Sequence, residues 1–160
     1  MEQPPEATQE ETLRRSQQVA DTAARAVALQ LRRLATNEPE DVEFWDRMWA
    51  DWEYLIVSLR RLERAARAVW LATSDEAVNI ELTRFHQRLP SLKHFRDIGE
   101  HWDDYVLNNP KRHVRHFTAW DLDMKVVSPS LIGWLGHTLE AADVRVAAAD
   151  LFQVVMAVRA

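Results

Sequence analysis

FWDRMWADWEYLIVSLRRLERAARAV, residues 44–69, carries apolar side chains at alternating spacings of three and four. This period places the apolar side chains on one face of an α-helix. Trp49 and Ile56 widen that face. The stretch therefore predicts a core helix of roughly 30 residues, about 45 Å long. The repeat consists of Trp45, Met48, Trp52, Leu55, Leu59, Leu62, Ala66 and Val69.

A second amphipathic helix precedes this one and begins at about Glu11. Its apolar stripe contains one polar residue, Gln17. The segment TNEPED, residues 36–41, then interrupts the helical pattern with Pro39, and its acidic residues suit a new helix N-terminus. Because this link is short, we predict an antiparallel hairpin of the two helices. The stripe consists of Leu13, Ala20, Ala24, Val27, Leu31 and Leu34.

Three further helices are predicted downstream. Ser74 or Asp75 caps the third helix, and Pro90 ends it. Ser91 caps the fourth, which is expected to run to about Leu107, and the last begins at about Ala141. The expected inward-facing residues are Val78, Leu82, Phe85 and Leu89 in the third helix, Leu92, Phe95, Ile98, Trp102, Tyr105 and Val106 in the fourth, and Val144, Ala148, Leu151, Val155 and Val158 in the last.

The hydrophobic period changes to two before the last helix. WDLDMKV, residues 120–126, alternates apolar and polar side chains, which is typical of a half-buried strand. The turn SPS, residues 128–130, leads into a returning strand, LIGWL, at 131–135. The predicted fold is mainly α: a five-helix bundle with a β-hairpin, at about residues 118–136, inserted before the C-terminal helix. We expect one domain over residues 11–160 and a disordered acidic tail at 1–10.

Composition excludes several classes of function. The chain has 160 residues, no cysteine and three glycines, Gly99, Gly133 and Gly136. Disulfides, thiolate metal sites and glycine-rich phosphate loops are therefore excluded. The polar, acidic N-terminus and the lack of a long apolar run predict a cytoplasmic protein with no membrane segment. Its net charge of −5 is unfavourable for general nucleic-acid binding, and its seven tryptophans suit a core or an interface.

Charged and imidazole side chains are concentrated in HFRDIGEHWDDY, residues 94–105. In one interpretation this is a solvated helix face on which Arg96 pairs with Glu100 and Asp97 pairs with His101. In a second interpretation His94, Asp97 and His101 bind a metal ion, since they follow one edge of the helix. The fourth ligand of that metal would come from His86, His113 or His116.

A third interpretation rests on a family resemblance. RDIGEH, residues 96–101, resembles the R-x(4–6)-H motif of HEPN superfamily ribonucleases, which are helical bundles that carry the motif on a late helix. The resemblance implies metal-independent RNA cleavage, without a cofactor, at a site shared by two subunits of a homodimer. It assigns phosphate binding to Arg96 and proton transfer to His101. It also assigns the orientation of one of these groups to Asp97.

Two basic stretches supplement the motif. KRHVRH, residues 111–116, contributes Lys111, Arg112 and Arg115 as candidate RNA-binding residues, and RRLERAAR, residues 60–67, lies on the long core helix. Both stretches also fit ordinary solvated surfaces, and the acidic side chains at 100, 103 and 104 oppose RNA binding. The alternative function is a non-enzymatic helical module that binds a protein partner.

Overall fold

A computed structural model describes residues 8–36, 44–107, 118, 121 and 125–159. It confirms a mainly α fold with antiparallel β-structure before the C-terminal helix. The helices bounded within the described residues are α1 (Gln9–Ala35), α2 (Phe44–Thr73), α3 (Glu76–Arg88), α4 (Leu92–Glu100), α5 (Trp102–Val106) and α6 (Ala141–Ala157). The strands are β1 (Lys125–Val127), β2 (Leu131–Trp134) and β3 (His137–Glu140).

Helices α1 and α2 form the antiparallel hairpin that the sequence predicts. Arg33, near the end of α1, bonds to Asp51 near the start of α2. Helix α1 begins at Gln9, two residues earlier than predicted, because the Thr8 hydroxyl accepts a hydrogen bond from the backbone of Glu11. Residues 1–7, most of the predicted tail, and the connection 37–43 lie outside the described residues, as does the side chain of Trp45. The described α2 positions of the predicted repeat are all buried: Met48, Trp52, Leu55, Leu59, Leu62, Ala66 and Val69.

Gln17 interrupts the apolar stripe of α1 for a structural reason. Its side-chain amide donates hydrogen bonds to the backbone carbonyls of Val155 and Val158, at 3.0 and 3.1 Å. These carbonyls lie at the end of α6, where a helix has no internal donors left for its last carbonyl groups. Gln17 therefore joins α1 to the C-terminal end of α6.

The predicted cap and core face of α3 are confirmed. The Asp75 carboxylate accepts hydrogen bonds from the backbone N–H groups of Ala77 and Val78. Ser74 lies in the short connection between α2 and α3 and has a φ of 56°, a left-handed conformation. The four predicted core residues of this segment are buried: Val78, Leu82, Phe85 and Leu89.

The β-structure is larger than the predicted hairpin, because β3 adds a third antiparallel strand in the order β1-β2-β3. The two-residue turn Leu135–Gly136 reverses β2 into β3, and both of its residues are left-handed, with φ values of 49° and 82°. A leucine rarely adopts this conformation, so the turn into a third strand is hard to predict from the sequence.

The predicted strand at 120–126 is wrong at its start. Asp121 is helical, and its carboxylate accepts hydrogen bonds from the backbone N–H and the hydroxyl of Thr118. This local capping competes with an extended backbone. Strand β1 is formed by Lys125–Val127, and residues 122–124 lie outside the described residues.

The predicted fourth helix is also divided. Helix α4 ends at Glu100, His101 leaves the helical conformation with φ −128° and ψ 35°, and the short helix α5 follows. Leu92, Phe95 and Ile98 are buried as predicted. Trp102 and Val106, which were predicted to face the core, are exposed because the helical register does not continue through His101. None of the described helices is long and apolar enough to span a membrane.

Candidate functional site

Helix α4 holds the first five residues of the RDIGEH motif, Arg96 to Glu100, against the N-terminal half of α2. Its apolar face is anchored by the buried side chains Leu92, Phe95 and Ile98. The remaining faces of the helix carry its polar side chains, and Arg96 and Asp97 are both half-buried. The structure therefore brings the first two residues of the motif together at the seam between two helices.

Arg96 is surrounded by carboxylates. Its guanidinium donates a hydrogen bond to the Asp97 carboxylate, and its Nε lies 3.5 Å from Glu100 Oε2. The pKa of Arg96 is raised, chiefly by the hydrogen bond to Asp97 and further by the charges of Asp97, Glu100 and Glu63, while burial acts in the opposite direction. The predicted Arg96–Glu100 ion pair is therefore present, but Asp97 pairs with Arg96 where the solvated-face interpretation paired it with His101.

His101 lies at the junction of α4 and α5. Its backbone N–H donates to the carbonyl of Asp97, and its own carbonyl accepts from the backbone N–H of Asp104. The residue is half-buried. Within the described part of the chain its imidazole has no hydrogen bond or ion pair.

His94 contacts the sheet and is not joined to Asp97 and His101 in a metal site. Its ring stacks on His137 of β3, with centroids 3.9 Å apart and planes 8° from parallel. The pKa of His137 is lowered by burial and, to a smaller extent, by the charge of His94. Among the described residues no group of three His, Cys, Asp or Glu side chains could hold a metal ion. His113 and His116, two candidates for the fourth ligand, lie outside them.

An open groove runs beside Arg96, between α2, α4 and β2. It has a volume of about 490 Å³, and we call it the aromatic groove. Trp49 and Trp134 form one end, with ring centroids 5.4 Å apart in an edge-to-face arrangement. Trp134 also contacts the ring of Trp102 at 5.2 Å. The apolar lining is provided mainly by Trp49, Tyr54, Ile56, Val57, Phe95 and Trp134.

Lys125 of β1 places its ammonium group over this aromatic end. Nζ lies 4.4 Å from the ring centroid of Trp49 and 4.5 Å from that of Trp134. At these distances the negative faces of the indole rings attract a cation. The helical repeat predicts that Trp49 widens the core face, but it does not associate Trp49 with Trp134 or Lys125. These residues are distant in sequence, and only the pairing of Lys125 with Trp134 across β1 and β2 brings them together.

The basic stretch at 60–67 is partly neutralised. Glu63 accepts a hydrogen bond from Arg60 and lies 2.8 Å from His86 Nε2, so these three side chains join α2 to α3. Arg61, Arg64 and Arg67 are exposed. His86 was predicted only as a candidate metal ligand, and its pairing with Glu63 was missed because a contact between separate helices leaves no local pattern. The other basic stretch, with Lys111, Arg112 and Arg115, lies outside the described residues.

No protein-family model matches the chain, and no curated protein or solved structure is significantly similar to it.

Proposed function

We propose that the chain is a HEPN-like domain that cleaves RNA in the cytoplasm as a metal-independent endoribonuclease and acts as a homodimer. The observation that supports this best is the state of the motif: Arg96 is held half-buried and charged, while the His101 imidazole is unengaged among the described residues. A fixed guanidinium can bind the phosphate, and an imidazole can act as a general acid or base, so the two groups suit cleavage of a phosphodiester.

In the proposed reaction Arg96 binds the non-bridging oxygens of the scissile phosphate. His101 accepts the proton of the neighbouring 2′-hydroxyl, and the resulting oxygen bonds to phosphorus. The bond from phosphorus to the 5′-oxygen breaks, and the leaving oxygen takes a proton from the His101 imidazolium of the symmetry-related subunit. The products are a 2′,3′-cyclic phosphate and a 5′-hydroxyl. Asp97 acts as a positioning residue through its hydrogen bond to Arg96.

The direct test uses a 5′-labelled structured RNA in the presence of EDTA. Wild type is expected to cut it, and the Arg96→Ala/His101→Ala variant to lose at least about a hundredfold in rate. Two matched controls, Arg25→Ala on α1 and His86→Ala, change an exposed arginine and histidine elsewhere and should retain activity. Equal cutting by wild type and the double variant would identify a contaminating nuclease and remove the proposal.

A second test of the same site changes its charge and measures RNA binding. Glu100→Gln removes one of the two carboxylates that neutralise Arg96, so it should strengthen RNA binding. Replacing Lys111, Arg112 and Arg115 with serine should weaken RNA binding and reduce its salt dependence by about two units of slope, if each contacts a phosphate of single-stranded RNA. An unchanged slope would show that these three residues do not bind the RNA backbone.

The aromatic groove favours a second function, a non-enzymatic module that binds a protein partner. Tyr54 and Val57, two of its lining residues, are 64% and 46% exposed. Clustered apolar side chains left in contact with water commonly mark an interaction surface. If wild type and the Arg96→Ala/His101→Ala variant are equally inert toward RNA in the tests above, this function is favoured.

A further inference from the structure

The aromatic groove combines a large apolar surface with access from solvent. Phe95 and Ile56 form buried parts of its lining, whereas Tyr54 and Val57 are exposed. Trp102, which contacts the groove residue Trp134, is also exposed. The apolar surface therefore extends beyond the groove, which suits an extended or helical segment better than a small enclosed ligand.

The charge around the groove is acidic. Arg96 lines the groove, but its guanidinium already faces the carboxylates of Asp97 and Glu100. Glu53 and Glu100 are exposed at the same groove. The carboxylates of Glu53, Asp97 and Glu100 outnumber the cations of Arg96 and Lys125, so this surface favours a cationic occupant over an anionic one.

Lys125 shows how a cation is accommodated here. Its exposed side chain lies over two indole rings, and Nζ is 5.9 Å from a third, Trp102. Lys125 already supplies a cation to these ring faces, so a cation of another molecule is attracted chiefly by the carboxylates of the groove.

We propose that the aromatic groove binds a positively charged, apolar segment of a partner protein. Its apolar side chains contact Tyr54, Val57 and Trp49, and its lysine or arginine side chains pair with Glu53 and Glu100. This proposal rests on the second function, the interaction module, and does not require RNA cleavage. The bound segment covers Arg96, which lies in the same groove.

The experiment selects binders from a random 16-residue peptide library displayed on phage, using the full chain as target. Selected peptides are synthesised, and their affinities are measured by titration calorimetry. We expect them to be basic and apolar, and to bind the Tyr54→Ala/Val57→Ser variant roughly tenfold more weakly. Glu53→Gln/Glu100→Gln should also weaken binding and reduce its dependence on salt.

Leu71→Ser is the matched control, because Leu71 is exposed on the same helix and does not line the groove. It should leave the affinities unchanged, and the circular dichroism spectrum of each variant verifies that it folds. Peptides that lose affinity only with Leu71→Ser would overturn the groove proposal while leaving an interaction module elsewhere. Selection of acidic peptides, or of none above background, would overturn it outright.

Two other possible occupants of the aromatic groove would each give a different experimental result. Sedimentation showing that wild type dimerises and Tyr54→Ala/Val57→Ser is monomeric would assign the groove to a second copy of the chain. A fluorescent 20-nucleotide RNA that binds wild type but not this variant would assign it to RNA. Either result contradicts a protein partner at this groove.

Discussion

The two halves of α2 carry the same helical repeat but are covered differently. In the C-terminal half, Leu59, Leu62, Ala66 and Val69 are fully buried, and Glu63 ties the helix to α3 through His86. In the N-terminal half, Met48, Trp52 and Leu55 are equally buried, but the short helix α4 and a small sheet pack alongside. The aromatic groove remains between these elements.

This difference shows what a core repeat does and does not determine. The repeat specifies which side chains of α2 turn away from water, and both halves obey it. It does not specify whether the covering elements close over the outer edge of the helix. The candidate functional surface therefore lies beside the N-terminal half of α2, where short elements leave aromatic side chains partly exposed.

The largest expected effect tests whether the half with the groove is as well packed as the other. Trp52 is fully buried, and its indole N–H donates to the carbonyl of Ser128 at 2.9 Å. Trp52→Ala should reduce the free energy of unfolding by about 3–5 kcal/mol, and Leu62→Ala, in the other half, by about 2–5 kcal/mol. Urea unfolding followed by circular dichroism measures both. A loss below about 1 kcal/mol for Trp52→Ala would show that this half is loosely packed.

An intermediate effect is expected at the ion pair between α1 and α2. Asp51 is buried, and its carboxylate lies 2.7 Å from Nε of Arg33. Arg33→Ala leaves this carboxylate unpaired and should cost about 1–3 kcal/mol. Adding Asp51→Asn should recover part of the loss, because a neutral amide is less costly to leave in a buried position. If the double variant is no more stable than Arg33→Ala, the buried charge is not the cause.

A smaller effect of opposite sign is expected in α4. A Cβ added to Gly99 has no atom within 4 Å, and the residue lies inside the helix. Gly99→Ala should therefore raise the free energy of unfolding by about 0.5–1 kcal/mol. Thermal and urea unfolding measure this change, with Gly136→Ala as a contrast that should destabilise because Gly136 has a φ of 82°. A lower free energy of unfolding for Gly99→Ala would show that the edge of the groove has no room for the added methyl group.

The smallest expected effect concerns the stacked histidines that join α4 to β3. Because the pKa of His137 is lowered in the folded protein, the unfolded chain binds its proton more readily. This contribution to stability is complete above the ordinary pKa of 6.5 and is lost as the pH falls from there through the lowered value. His137→Gln should therefore lose less stability than wild type between pH 7.5 and pH 5.5, as measured by urea unfolding at about these two values.

Histidine titration by NMR provides the matching control. His94→Gln removes a charge that lowers the pKa of His137, so the His137 resonance should titrate at a higher pH in this variant. Identical titration of His137 in wild type and His94→Gln would mean that burial alone lowers its pKa.

The helices could be predicted because their determinants are local. The repeat in α2, the Asp75 cap and the stop at Pro90 each act within a few residues. The third strand and the division at His101 could not, since they depend on a left-handed leucine and on a change of helical register. The motif residues Arg96 and Asp97 do meet, but their position beside the aromatic groove depends on contacts between distant segments.

The division at His101 restricts how this chain can vary in length. Trp102 follows His101 directly and contacts Trp134 of the sheet. One residue inserted between Arg96 and His101 would turn everything beyond it by about 100° and carry Trp102 away from that partner. Although the resembling motif tolerates several spacings, insertions and deletions here are constrained by a tryptophan outside the motif.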